Sequence, residues 1–377
     1  MRFLHTADWH LGMTAGFLSA EARPRYAEDR RRAVREIARI AEEEGAGFVV
    51  VSGDVFDSNQ IDRAEVSRAV EAMGAFTVPL YILPGNHDPL DAASVYTSRA
   101  FTTGKPDLVT VIGDTEPIPV APGIEIVGAP WTSRRPAGDP AALALAGLTD
   151  PRGTTRILIA HGIVDGDAIG TDVQALIAIA PLRRALAEGT VRYVALGDHH
   201  SAREVCGEHA IRYAGTPEPT QASEQGAGEV LVVTLDGDHL DVRSRRVGTW
   251  QFLRRPFDLR SGEDVEAFDS ALADTPGKER TVLRLDLTGS LTVAEDVLLH
   301  QVLDVRSDVF AGLTVSDRTY DVAVIADGDG ILPLGLSGYA QGAAEEIAGV
   351  AMGDGADAGV ARDALRLLYR LAPGAGS

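Results

Sequence analysis

The chain has little of several features that would place it outside the ordinary globular proteins. It contains a single cysteine, Cys206, among 377 residues, so it can form neither an internal disulfide bond nor a structural zinc site built from thiolates. No apolar run approaches the roughly 18 residues that suggest a membrane span. Residues 1–10 combine a short strand-like run with acidic and histidine residues, which is not the pattern of a signal peptide. We therefore expect a cytoplasmic protein without membrane attachment.

Positive charge is also scarce. The 35 basic residues are outnumbered by 55 acidic ones, and the formal net charge of −20 disfavours general adhesion to nucleic acid. A polyanionic substrate would need locally positive ground, bound cations or a partner protein. Arginines cluster at 30–35 and at 243–255. A solvated helix face is the more ordinary explanation for the first of these clusters.

Residues 1–250 alternate short apolar runs with helical patterns, which predicts an α/β layered domain. Buried strands are predicted at 48–54, 78–88, 156–162 and 191–198, and helices at 25–44 and 62–76. Further strands near 124–128, 211–214 and 229–235 lack long helices between them, so part of the sheet structure is expected to be antiparallel or mixed. The segment 134–155 is rich in proline, alanine and glycine and is interpreted as a surface excursion.

The character of the sequence changes near 250–260. Helices at 263–273 and 294–304 and strands at 281–287 and 312–316 predict a small, separate α/β unit. Apolar residues then mark one face of a final helix, namely Ala361, Ala364, Leu365, Leu368 and Leu371. We therefore divide the chain into 1–250, 251–325 and a helical tail at 326–377.

Polar residues recur where the predicted strands end. Because ligands bind at the carboxyl ends of strands in α/β sheets, this recurrence is what a shared site looks like in a sequence. Five of the nine histidines lie at these positions. The strand ends contribute Asp8, His10, Asp54, Asp57, Asn86, His87, Asp88, His161, Asp198, His199 and His200.

Carboxylate, amide and imidazole ligands together suit divalent ions such as Mn²⁺, Fe²⁺ or Zn²⁺. Two such ions, about 3.5–4 Å apart and bridged by a carboxylate, can hold a phosphate and activate a water for in-line attack. Each short motif is weak alone, since a single aspartate is more often a turn or helix cap. Their joint occurrence favours a two-metal site.

The motifs "HTADWHLG", "SGDVFD", "PGNHD", "AHG" and "ALGDHH" resemble the calcineurin-like metallophosphoesterase superfamily. Within it, the turn "YAGT" at 213–216 and the unit after residue 260 resemble the SbcD-type DNA exonucleases. The resemblance implies a four-layer α-β-β-α sandwich of two mixed sheets with a small C-terminal α/β capping domain. The motifs extend from residue 5 to residue 200, and the likeness is looser after residue 215.

The resemblance also implies roles for individual residues. Asp54 would bridge two metal ions, and His87 would stabilise charge or protonate the leaving oxygen beside the scissile phosphate. Asp57 and Asp88 would orient the ligands. His199 would turn away from the site. The implied ligands of the first ion are Asp8, His10, Asp54 and His200, and those of the second are Asp54, Asn86, His161 and Asp198.

Asp198 departs from the family pattern, because many relatives carry histidine at this position. Aspartate is an acceptable hard ligand, and its negative charge should favour Mn²⁺ and weaken the Lewis acidity of the second ion. Loss of the second ion is the alternative. We therefore expect two divalent ions, with Mn²⁺ as the preferred metal.

The leading hypothesis is a two-metal phosphodiesterase that acts on DNA as an exonuclease, with possible endonuclease activity, in DNA repair. The resemblance implies an SbcC-like ATPase partner, to which the tail could dock, and a homodimer. A phosphoesterase for small nucleotides or phosphoproteins is one alternative, although about 120 residues beyond the catalytic domain argue against it. A non-catalytic scaffold is another, although the full set of ligand types argues against it.

Overall fold

The computed structural model describes residues 1–148, 153–165, 176–325 and 338–351, with single positions at 353, 355, 357, 358, 360, 361, 364, 367 and 368. The chain divides into two compact units. Unit 1 comprises Met1–Gly16 and Arg23–Trp250, and unit 2 comprises Phe17–Ala22 and Gln251–Ser377. In the part of the chain that is described, no helix has the length and apolarity needed to cross a membrane.

In its described residues, unit 1 contains two six-stranded sheets and five α-helices. The helices are α1 (Ala22–Glu43, which begins one residue before unit 1), α2 (Arg63–Met73), α3 (Arg99–Gly104), α4 (Pro140–Ala146) and α5 (Ile179–Ala187). The strands of the first half are β1 (Arg2–Thr6), β2 (Val49–Ser52), β3 (Leu80–Leu83), β4 (Val109–Val111), β5 (Ile118–Ala121), β6 (Ile124–Gly128) and β7 (Thr155–His161). Those of the second half are β8 (Ile163–Val164), β9 (Leu176–Ile177), β10 (Tyr193–Gly197), β11 (Arg203–Val205), β12 (Glu208–Tyr213), β13 (Glu229–Asp236) and β14 (His239–Arg246).

Both large sheets are mixed, and β8 and β9 form a separate pair. Sheet 1 has the order β14-β13-β1-β2-β3-β4, in which β1 to β4 are parallel and β13 and β14 are antiparallel to their neighbours. Sheet 2 has the order β11-β12-β10-β7-β6-β5, in which the four central strands are parallel and the two edge strands antiparallel. The expected mixture of parallel and antiparallel strands is thus confirmed.

Alternation along the strands produces the four layers. Phe3 and Ile157 point into a core between the two sheets, whereas their neighbours Leu4 and Leu158 point outward. The outer face of sheet 1 packs on α1 and α2, and the outer face of sheet 2 packs on α4 and α5. The predicted α-β-β-α sandwich is therefore confirmed.

The helix predicted at 25–44 is α1, and its buried face carries the expected Val34 and Ile37. Gly45 follows it with a φ of +61°, a conformation that glycine adopts without steric cost, so the chain turns there into β2.

The interpretation of 134–155 as a surface excursion is wrong in part. Asp139 caps α4 by accepting a hydrogen bond from the Ala142 amide at 3.0 Å. Ala141 and Ala144 are buried against sheet 2. Small side chains let this short helix approach the sheet closely, and that packing is not visible in its composition. Residues 149–152 lie outside the described residues.

Unit 2 is built on a parallel three-stranded sheet of β15 (Gln251–Leu259), β16 (Thr281–Thr292) and β17 (Gly312–Ile325). Its helices are α6 (Gly262–Ala273), α7 (Val293–Ser307) and α8 (Tyr339–Ala351). Thr292 and Glu295 form a capping box at the start of α7. The four predicted elements are present, but β15 and the inclusion of 17–22 were not foreseen. Leu365 and Leu371 of the predicted tail helix lie outside the described residues.

One buried histidine of unit 1 generates a pH prediction. His5 Nε2 donates to Leu196 O at 3.2 Å, so Nδ1 accepts from Tyr193 Oη at 3.0 Å. Burial lowers the pKa of His5 to about 3. The unfolded chain, with a histidine pKa near ~6.5, then binds an extra proton as the pH falls below that value. Stability due to neutral His5 is therefore complete above about pH 6.5 and is lost at lower pH, by on the order of 1.4 kcal/mol per pH unit.

We expect urea unfolding between about pH 6 and about pH 4 to show a steeper loss of unfolding free energy in the wild type than in His5→Gln. Glutamine keeps a donor and an acceptor but does not titrate. Equal slopes for the two proteins would contradict a neutral, buried His5.

Candidate metal centre

The predicted ligands meet where the carboxyl ends of neighbouring parallel strands meet. In sheet 1, β1, β2 and β3 lie side by side, and in sheet 2, β7 and β10 do so. The two sheets are packed face to face, so the five strand ends open on one edge of the sandwich. The residues that follow them there are Asp8 and His10 after β1, Asp54 and Asp57 after β2, Asn86, His87 and Asp88 after β3, His161 at the end of β7, and Asp198, His199 and His200 after β10.

Left-handed backbone conformations are concentrated at this edge. Among the described residues other than glycine, six have positive φ, and four of them are Asp8 (+55°), His10 (+42°), Asp54 (+54°) and Asp198 (+89°). Such conformations cost about 1–3 kcal/mol each and persist where the surrounding structure enforces them. Here they turn the chain sharply after β1, β2 and β10, at the residues that carry the candidate ligands.

Asp54 occupies the middle of the cluster and is 1% exposed. Its Oδ1 accepts a hydrogen bond from the His87 amide at 3.0 Å. Its Oδ2 faces three imidazole Nε2 atoms, at 3.4 Å for His161, 3.9 Å for His87 and 4.0 Å for His10. One carboxylate is thus shared by side chains from both sheets, as a bridging ligand requires.

Three of the histidines are oriented in the same way. His161 Nδ1 donates to Ser52 O at 2.8 Å, and His87 Nδ1 donates to Asp57 O at 2.8 Å. His200 Nδ1 lies 2.8 Å from Glu224 Oε1. Each of these contacts places the proton on Nδ1 and directs Nε2 into the cluster, where it can bind a cation.

His10 and His200 approach each other directly, with their Nε2 atoms 3.1 Å apart. Asp8, fully buried, supplies a carboxylate to the same group, and the Asp198 amide donates to both its oxygens at 3.1 and 3.2 Å. Two imidazole nitrogens and a carboxylate thus converge on one point, where the first of the two predicted metal ions would bind.

The second predicted set also converges, although less completely. His161 Nε2 lies 2.7 Å from Asn86 Oδ1 and 3.7 Å from Asp198 Oδ1. All groups that face this nitrogen are oxygen acceptors, so only a proton or a cation satisfies them. Asp198 belongs to none of the three ligand groups with atoms within 4.8 Å of one another, so its role as a ligand remains a prediction.

The close packing of buried carboxylates and imidazoles shifts their pKa values. Burial raises the pKa of the Asp8 carboxyl to about 7 and also raises the pKa of Asp198. Burial lowers the pKa of His10 to about 4. Burial opposes protonation of His161, but the Asp54 and Asp198 carboxylates outweigh it and raise its pKa well above the usual value. Bound cations would compensate the buried carboxylates without protonation, so the donor set fits divalent metal ions.

The remaining predicted residues have different surroundings. Asp57 Oδ1 lies 3.2 Å from His10 Nδ1. Asp88 is fully buried and its carboxylate accepts from the amides of Phe56 (2.9 Å) and Gly85 (2.8 Å) and from Tyr96 Oη (2.6 Å). It therefore joins the loops after β2 and β3 and does not face the metal ligands.

His199 does not point into the cluster. Its ring packs against Tyr213, with the centroids 5.2 Å apart, and its Nδ1 accepts from the Ser201 amide at 3.1 Å. These contacts are those of a residue that fixes the turn between Asp198 and His200.

Sequence reasoning did not identify Glu224 and Thr220. Both lie beside His200 Nδ1, and Glu224 also accepts from the Thr220 amide at 2.7 Å. Burial opposes ionisation of Glu224, but its hydrogen bond to His200 outweighs this and its pKa is lowered. A carboxylate more than twenty residues away, within a polar loop, carries no periodic or motif signal that could have revealed it.

The two arginine clusters are largely neutralised within the chain. Arg30 is buried and donates to Trp9 O at 2.6 Å and to Glu218 O at 3.1 Å. Acidic partners contact most of the others: Arg31–Glu65, Arg32–Asp29, Arg35–Glu28, Arg243–Glu44, Arg245–Glu43 and Arg254–Asp286. Neither cluster therefore offers a field of unpaired positive charge to a polyanion.

A glycine substitution tests the geometry around Asp54. A Cβ atom on Gly85 would lie 2.1 Å from Asp54 Oδ1, whereas a Cβ on Gly113 would meet nothing within 4 Å. We expect Gly85→Ala to displace the Asp54 carboxylate and weaken Mn²⁺ binding by about tenfold or more in calorimetric titration. Gly113→Ala should bind Mn²⁺ like the wild type. Unchanged binding by Gly85→Ala would show that the position of the Asp54 carboxylate does not control metal binding.

Known proteins resemble this chain over the region that carries the site. The chain is 28% identical over 369 residues to the SbcD component of the nuclease SbcCD of Rhodobacter capsulatus, with 84% of this chain and 87% of the relative covered. It is 23% identical over 332 residues to the DNA double-strand break repair protein Mre11 of Methanosarcina mazei, with 81% of this chain and 50% of that relative covered. The chain thus spans about half the length of the Methanosarcina protein.

A shorter match reaches the SbcD component of the nuclease SbcCD of Bacillus subtilis, at 32% identity over 124 residues, which covers 31% of this chain and 29% of the relative. The model of the calcineurin-like phosphoesterase family matches residues 1–202, which is more than half of the chain and includes every predicted metal ligand. The chain therefore belongs to the calcineurin-like phosphoesterase family.

Proposed function

We propose that this protein is a two-metal phosphodiesterase that cleaves DNA, an exonuclease of the SbcD type that works with an ATPase in DNA repair. The observation that supports it most is the convergence of five strand ends on the shared Asp54 carboxylate, with imidazole Nε2 atoms on three sides. One relative is named a nuclease and another a DNA double-strand break repair protein, and together these names support DNA as the substrate.

Seven residues would hold the two ions, and Mn²⁺ is the proposed metal. When bound, such ions neutralise the charge of a phosphodiester and make a water strongly nucleophilic at neutral pH. The proposed ligands are Asp8, His10, Asp54, Asn86, His161, Asp198 and His200.

The chain's own residues supply position and proton transfer. His87 is more exposed than the other histidines of the cluster, with 43% of its side chain accessible against 24% for His200, so a substrate can reach it. Its Nδ1 donates to Asp57 O, which fixes the ring. In the imidazolium form, with a second proton on Nε2, the ring would stabilise charge or give that proton to the leaving oxygen. Asp57 orients His10 and His87 together, and Asp88 holds the loop that carries His87.

We extend the proposal to the domains of the chain and to its partner. Residues 1–250 would be the nuclease domain, 251–325 a capping domain and 326–377 a helical tail that docks the ATPase. Exposed apolar side chains on the described part of the tail, Tyr339, Val350, Val360 and Leu367, support a docking role. A homodimer remains a prediction from the resemblance, and a cytoplasmic location remains a prediction from the sequence composition.

The test of the function is cleavage of single- and double-stranded DNA with Mn²⁺, with and without the ATPase. We expect Asp8→Ala to lose both metal and activity. His87→Ala should keep its bound Mn²⁺ but lose about 10²- to 10⁴-fold in kcat, because it removes proton transfer and not a ligand. His239→Ala, an exposed histidine on β14, is the matched control.

Absence of metal-dependent cleavage of any DNA by the wild type would overturn the function. A His87→Ala enzyme with unchanged kcat would overturn only the role of His87.

The aspartate at 198 generates a separate prediction about metal choice. Histidine is a softer, neutral ligand, so Asp198→His should shift the ratio of Mn²⁺ to Zn²⁺ affinity towards Zn²⁺ by at least ~tenfold. Competition titrations on the wild type and the variant measure this ratio. If the ratio stays the same, Asp198 does not coordinate the second ion.

A further inference from the structure

The segment that follows β6, Trp131–Asp139, is fixed against the metal centre at its base. We call it the Trp131 loop. Trp131 is 1% exposed, and its Nε1 donates to His161 O at 2.8 Å. Its amide donates to Pro84 O at 3.2 Å, and its carbonyl accepts from the Leu90 amide at 2.8 Å. These bonds attach the loop to both ends of the turn that carries Asn86 and His87.

Two consecutive arginines of the Trp131 loop, a few residues after Trp131, face solvent. Arg134 and Arg135 are exposed. Arg134 Nη2 lies 3.5 Å from Ser58 Oγ, and Ser58 directly follows Asp57. The loop therefore spans from the turn after β3 to the turn after β2, and these two turns carry Asp54, Asp57 and His87.

Within the described residues, neither Arg134 nor Arg135 has an acidic partner. This sets them apart from the arginine clusters described above, where carboxylates contact most of the guanidinium groups. In a chain with a formal net charge of −20, unpaired guanidinium groups beside the metal centre are a local exception. A guanidinium without a carboxylate partner can bind a phosphate through two parallel N–H donors, as it would bind a carboxylate.

We propose that Arg134 and Arg135 are positioning residues that bind the phosphates flanking the scissile bond of a DNA strand. The inference rests on the proposed function and deepens it, because it identifies the positively charged side chains that an acidic nuclease needs in order to bind DNA. The contacts are to the phosphate backbone, so they position the strand without reading its sequence.

The experiment compares Arg134→Ala/Arg135→Ala with the wild type in Mn²⁺. We expect a rise in KM for duplex DNA that exceeds any fall in kcat. The slope of log Kd against log salt concentration should fall by about 2, which is about one for each phosphate contact removed. The ratio of kcat/KM for DNA to that for bis(p-nitrophenyl) phosphate, which has no flanking phosphates, should fall at least ~tenfold.

Two further variants separate local binding from general charge. Arg134→Lys/Arg135→Lys keeps both charges and should restore most of the salt slope. Arg183→Ala/Arg184→Ala removes the same charge from adjacent exposed arginines near the end of α5, of which Arg183 pairs with Glu208. The end of α5 leads to the amino end of β10, away from the carboxyl ends of the strands that carry the site. This control should retain the wild-type salt slope and substrate ratio.

The outcomes distinguish this inference from the proposed function. If the wild type hydrolyses bis(p-nitrophenyl) phosphate but cleaves no DNA, the proposed function fails and the inference fails with it. If the wild type cleaves DNA and the Arg134→Ala/Arg135→Ala enzyme keeps the wild-type slope and ratio, only the inference fails. It also fails if the Arg183→Ala/Arg184→Ala control loses as much as the loop variant does.

Discussion

The buried carboxylate of Asp54 is the constraint on which the rest of the site depends. It can remain ionised in the interior only because imidazole groups from both sheets surround one oxygen and a backbone amide binds the other. That arrangement requires glycine at position 85, where any side chain would occupy the place of the carboxylate. The fold brings the two sheets together, and Asp54 is the point at which they share chemistry.

The distribution of charge differs between the metal centre and the rest of the surface. Arginines of the helical and strand faces are matched to carboxylates of the same chain, and Arg30 is buried beneath the loop of Trp9. The buried carboxylates Asp8 and Asp54 lie among the candidate metal ligands. Two bound cations would offset their charge and make the metal centre less repulsive to a polyanion than the rest of an acidic surface.

The four layers and the convergence of most candidate ligands could be predicted because they follow local rules. Short continuous apolar runs reveal the strands, and glycine with polar residues at strand ends reveals the edge that carries the site. Contacts between distant segments could not be predicted. Glu224 reaches His200 from a polar loop, the contacts by which Asp88 joins two loops are not visible in the sequence, and 17–22 belongs to unit 2. None of these contacts follows from a periodic pattern in the sequence. Each depends on the conformation of a loop that lies far along the chain from its partner.

The left-handed backbone at Asp8, His10, Asp54 and Asp198 has a consequence for the transfer of this chemistry to other proteins. The ligands cannot be copied as side chains alone onto an ordinary sheet edge, because an unstrained backbone would point them elsewhere. A designer would have to transplant the turns, together with the two packed sheets that enforce them. For the same reason, sequence drift in the sandwich core can disable the site without touching a single ligand.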